Sequence, residues 1–70
     1  MTLKDCKEGD IVWILENWRS KSYERVEILG RMTANDEPTE YILYNRIDFY
    51  NFHNYAHEDT VCYTENPAEQ

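Results

Sequence analysis

Apolar and polar residues alternate along this chain in short blocks, mostly with a period of two. The first block, Ile11-Val12-Trp13-Ile14-Leu15, is rich in β-branched and aromatic residues and follows no helix cap, which predicts a strand buried on both faces. Lys7-Glu8-Gly9-Asp10 before it reads as a turn, and the polar run Glu16 to Ser22 after it as a loop. Arg25-Val26-Glu27-Ile28 then alternates, predicting a second strand over residues 23–29 with one wet face. Gly30 marks a bulge or bend in that strand. Thr33 to Thr39 is a loop, and Glu40 to Tyr44 a third strand. Two readings follow it. In the favoured one, Asn45-Arg46 is a two-residue hairpin turn into a strand Ile47–Tyr50. Ile42, Tyr44, Ile47 and Phe49 then share the core face, and Tyr41, Leu43, Asp48 and Tyr50 the other. In the other, Asn45 caps a short helix carrying Phe49, Phe52 and Ala56 on one side. Phe52 to Asp59 reads as a polar, histidine-containing connection, and Thr60 to Thr64 as a short last strand.

Seventy residues, 41% of them hydrophobic and 14% aromatic, describe a single folded domain over residues 1–64 with a flexible acidic tail at 65–70. A chain this short buries about 60% of the surface its unfolded form exposes, too little for an enclosed cofactor cleft. No cofactor is expected. Net charge is -7. Residues 1–31 hold six basic and six acidic groups, whereas residues 32–70 hold one basic and eight acidic. That sign disfavours direct nucleic-acid binding. No apolar run has the length of a signal peptide or membrane span, and two cysteines are too few for a disulfide scaffold, so the expected setting is a reducing cytoplasm. Cys6 and Cys62 are nonetheless placed so that one bridge could join the two ends.

Five short strands, tight turns and a bent second strand predict an all-β fold, a small five-stranded antiparallel barrel. Gly9-Asp10-Ile11-Val12-Trp13 resembles the opening strand of many SH3-like barrels. The segment Tyr41-Ile42-Leu43-Tyr44-Asn45-Arg46-Ile47-Asp48-Phe49 resembles the central hairpin of small SH3-like accessory proteins encoded by bacteriophages, with Arg46 standing where such hairpins often carry glycine. The resemblance covers most of residues 7–50. It implies an SH3-like fold and a phage genome, hence the cytoplasm of an infected bacterium, and it implies no reaction.

Three sets of residues carry candidate chemistry. Cys6, His53, His57 and Cys62 form a conceivable zinc set, set against two surface histidines and two buried thiols; zinc is not expected, because no Cys-x2-Cys knuckle supports it. Catalysis lacks a motif: there is no Gly-x-Ser-x-Gly, no phosphate-cradling glycine loop and no His-Glu-x-x-His, so a non-enzymatic protein is expected. Trp18 with Arg19, Lys21 and Tyr23 is an aromatic among cations, suited to stacking on single-stranded nucleic acid; the competing reading folds Trp18 over the core as a lid. Asp36, Glu37, Asp48, Glu58 and Asp59 with Tyr41, Leu43 and Tyr50 make an acidic, Tyr-bearing surface, set against ordinary solubility. The leading expectation is a binding protein that inhibits or modulates a larger host or defence protein through a basic surface on that partner, in the strongest form as a nucleic-acid mimic.

Overall fold

The computed structural model describes residues 1–33, 38–48 and 52–69. Strands β1 (Ile11–Asn17), β2 (Ser22–Thr33), β3 (Glu40–Arg46), β4 (Phe52–His57) and β5 (Cys62–Tyr63) form one antiparallel sheet in the order β4-β3-β2-β1-β5. The protein is thus the all-β, five-stranded antiparallel domain its pattern predicts. The barrel, however, is not closed: among the described residues the edge strands β4 and β5 do not pair with each other. The N-terminal segment lies between them instead. Leu3 N–H donates to the Thr60 carbonyl and Lys4 N–H to that of Glu58, while Thr2 bridges Val61.

Local chemistry sets the bends. Gly9 lies in the left-handed region at φ +94°, and the turn is closed by Lys7 N–H donating to Asp10 Oδ2 at 2.8 Å. The register of β2 on β3 shifts between Ile28 and Gly30, which is the bulge expected at this point. β2 pairs with β1 from Ser22 to Glu27 and with β3 from Val26 to Thr33, so one twelve-residue strand joins both halves of the sheet.

The core is the inner face: Val12 and Ile14 from β1, Val26 and Ile28 from β2, Ile42 and Tyr44 from β3, and Cys62 from β5. Leu3 and Cys6, around a 3-10 turn at Leu3–Asp5, cover its end. Arg31 ties this segment down by donating to the Lys4 and Cys6 carbonyls while pairing with Glu40 at 3.1 Å.

Three expectations need correction. β1 is buried on one face only: Ile11 and Leu15 point outward and are about half exposed (53% and 45%), with no second layer over that side among the described residues. Asn45-Arg46 is not a turn. Both residues stay in the β3–β4 ladder, opposite His53 and Phe52, and the Arg46 guanidinium is held on the inner face by Glu24 and by Glu16 at 2.7 Å. The chain therefore turns after Arg46, so Tyr44 meets Asn54 rather than Ile47, and Ile42 meets Ala56 rather than Phe49. Finally, residues 52–57 are neither a polar connection nor a helix but strand β4. Phe49 lies outside the described residues, so its place in the core is not described.

Candidate functional site

Alternation in the β3–β4 ladder sends Ile42, Tyr44 and Ala56 inward and Tyr41, Leu43, Tyr55 and His57 outward. Tyr41 lies directly opposite His57, and Leu43 opposite Tyr55, while Met32 of β2 faces Tyr41 from the other side. The rings pack edge to face: Tyr41 to Tyr55 with centroids 5.6 Å apart, Tyr41 to His57 at 5.8 Å. Tyr41 is thereby fixed between two partners, whereas Tyr55 (58% exposed) and Met32 (42%) stand open to solvent. Acidic groups border this face at one end. Glu58 and Asp59 follow β4 directly and Glu40 opens β3, its backbone carbonyl accepting Glu58 N–H.

Of the expected acidic, Tyr-bearing surface, the structure brings Tyr41, Leu43, Glu58 and Asp59 together. The Asp59 carboxylate lies 3.9 Å from Lys4 Nζ, and Asp59 N–H donates to His57 Nδ1 at 3.2 Å. Asp48 is not beside Tyr41. It lies past the other end of β3, roughly 20 Å away at the rise of a strand, and pairs with Arg25 at 3.2 Å. Asp36, Glu37 and Tyr50 lie outside the described residues. Tyr55, His57 and Met32 are members of the face that sequence patterning did not assign to it; the period-two spacing of His53, Tyr55 and His57 was the available signal.

The β1–β2 hairpin tip forms a second feature. Trp18 is 71% exposed there, so it is not a lid on the core. Asn17 Oδ1 accepts the N–H groups of Arg19 (2.9 Å) and Ser20 (3.3 Å), Lys21 takes a left-handed φ of +53°, and the Arg19 guanidinium stacks 5.4 Å from the Trp18 ring centre. Tyr23 is not part of the tip; it points onto the outer face of β2 and packs edge to face on Tyr63 of β5.

The four metal-ligand candidates do not converge. Cys6 and Cys62 meet in the core with sulfurs 3.7 Å apart, but His53 and His57 sit four residues apart on one strand, hence about 13 Å. Among the described residues no three His, Cys, Asp or Glu side chains are placed to hold a metal ion.

Charge also enters the inner face at its open end, where Glu16, Glu24 and Arg46 form a triad below Tyr44. Burial raises the Glu24 carboxyl above its ordinary value, against the pull of Arg46. Burial and the neighbouring Glu24 likewise raise the Tyr44 phenol. The triad adjoins Tyr44 of the core and has the character of a structural ion network.

No family model, curated protein or solved structure matches the chain. Among the described residues no helix is long and apolar enough to cross a membrane.

Proposed function

We propose that this chain is a non-enzymatic binding protein that docks its outer β2–β3–β4 face onto a basic surface of a larger protein and so inhibits or modulates it. The observation that carries the proposal is the ring cluster of Tyr41, Tyr55 and His57, ordered by edge-to-face packing yet open to solvent, with Glu58 and Asp59 at its border. Aromatic anchors held in place before binding lose little entropy on docking and supply most of an interface's energy. Carboxylates at the rim steer a basic partner and speed encounter. A net charge of -7 works in the same direction. The bacteriophage accessory proteins that the sequence resembles supply the biological setting of the proposal: the target is a host or defence protein.

Exposure of Trp18 favours a second reading, in which the Trp18–Arg19–Lys21 tip stacks on single-stranded nucleic acid. A titration against labelled single-stranded and duplex oligonucleotides at two salt concentrations separates the two. The docking proposal expects no binding at micromolar concentrations. Binding that weakens steeply with salt and is lost in Trp18→Ala would replace it with the second reading.

A further inference from the structure

Cys6 and Cys62 play no part in the proposed docking face, and their placement is more specific than burial of two small apolar groups requires. Cys6 lies at the end of the N-terminal segment and Cys62 begins β5, 56 positions apart in the chain, yet their Sγ atoms stand 3.7 Å apart inside the core. Both thiols are free and both residues are almost wholly buried. The contact adds to the links that hold the N-terminal segment against the last part of the chain: Cys62 N–H donates to the Met1 carbonyl, Leu3 N–H to Thr60 and Lys4 N–H to Glu58, Thr2 bridges Val61, and Leu3 packs in the core. From β2, Arg31 holds the carbonyls of Lys4 and Cys6.

We propose that Cys6 and Cys62 are a dithiol oxidation site, which a low-molecular-weight disulfide converts to an intramolecular bond that clamps the N-terminal segment onto β5. In the balanced step, one thiolate attacks the oxidant disulfide and releases one reduced thiol. The second protein thiolate then displaces the other half of the oxidant from the mixed disulfide. Two protein thiols and one small disulfide become one protein disulfide and two small thiols, and the protons of the protein thiols end on the released thiols. Closure draws the sulfurs from 3.7 Å to a bond length of about 2 Å.

The same burial sets when the reaction occurs. Burial, reinforced by the adjoining Cys6, pushes the Cys62 thiol up to about 12, so little thiolate exists in the closed fold and the residue is almost wholly buried. Reaction waits on release of residues 1–6 from the sheet, and the bond then prevents that release. In a reducing compartment the pair stays as thiols and the segment remains free to open. Under oxidative conditions the domain becomes locked.

The test uses the full chain in a glutathione redox buffer, both added to the folded protein and present during refolding from denaturant, so that slow access in the native state cannot hide the product. Intact mass and alkylation in denaturant count the thiols, and peptide mapping without reductant locates the bond. The expected result is loss of two hydrogens in a monomer, a Cys6–Cys62 crosslink, slower oxidation of the folded protein than of the refolding chain, and a melting temperature raised by roughly 10 °C. Cys6→Ser and Cys62→Ser should each stop at a mixed disulfide with glutathione and show no such rise. Two alkylatable thiols after refolding in an oxidising buffer, or oxidation that yields only mixed disulfides or dimers of the native sequence, would overturn the proposal.

Discussion

Gly9 and Gly30 both stand at bends, yet for different reasons. At Gly9, φ of +94° is closed to most side chains, although a Cβ there would meet no atom within 4 Å. Gly9→Ala should therefore cost about 1 kcal/mol through backbone conformation alone. At Gly30 φ is not positive and a Cβ again meets nothing, so the bulge does not depend on glycine and Gly30→Ala should leave stability within about 0.5 kcal/mol. Thermal melts of the two variants decide this. Glu24 supplies a pH test. Its carboxyl keeps a proton to higher pH in the fold than in the unfolded chain, so this group adds stability as pH falls toward its ordinary value of 4.5 and loses it as pH rises through the folded value. Asp5 acts oppositely, since the Thr2 backbone N–H at 3.1 Å lowers its value; that contribution is present above 3.8 and lost as acid titrates the folded carboxylate. Glu24→Gln should flatten the first slope and leave the second. Removing the cation instead, as in Arg46→Met, leaves Glu24, only 10% exposed at its side chain, facing Glu16 and should cost about 2 kcal/mol or more.

Strands β1 to β3 were legible because each carries apolar residues at the inward positions of a two-residue period. Ile28, 2% exposed at the centre of β2, shows how much rests on those positions: Ile28→Asp should abolish the strand-dominated circular dichroism spectrum, since it places a charge in a minimal core. β4 was not legible for the converse reason. Its inward residues Asn54 and Ala56 add little apolar area, and its outward Tyr55 and the two histidines give a polar reading, so the ladder with β3 rather than local patterning makes it a strand. The same error hid the site. With β4 read as a connection, Tyr41 and Leu43 lacked the partners that complete the aromatic face. Arg46 misled in a similar way: its role is set by Glu16 and Glu24, carboxylates on two other strands that no local pattern connects to it. Conversely, β1 looked buried on both sides because its sequence is apolar throughout, and only the exposure of Ile11 and Leu15 beside buried Val12 and Ile14 shows which half is covered. The zinc set failed on element type. Four residues of strand separate two histidines far more than one turn of helix would, so chelation with EDTA should leave the melting temperature of the protein unchanged.

At the scale of the whole molecule, the proposed docking divides the work of binding between an acidic surface and an open face of rings. Asp59 is exposed and its contact with Lys4 spans 3.9 Å, a surface pair of little worth to the fold. Glu58→Lys combined with Asp59→Lys should therefore leave the melt nearly unchanged while slowing association with a basic partner, strongly at low salt and weakly at high salt. Tyr55→Ala should instead speed dissociation, by roughly tenfold or more if the ring is an anchor. The most direct measurement is quantitative affinity capture from a bacterial lysate, run in parallel on the native chain, on Tyr55→Ala and on Trp18→Ala. Docking through the outer β2–β3–β4 face predicts a protein that is enriched on the native chain and on Trp18→Ala and lost on Tyr55→Ala. Enrichment that survives Tyr55→Ala but disappears with Trp18→Ala, or that consists of nucleic acid released by nuclease, would contradict it.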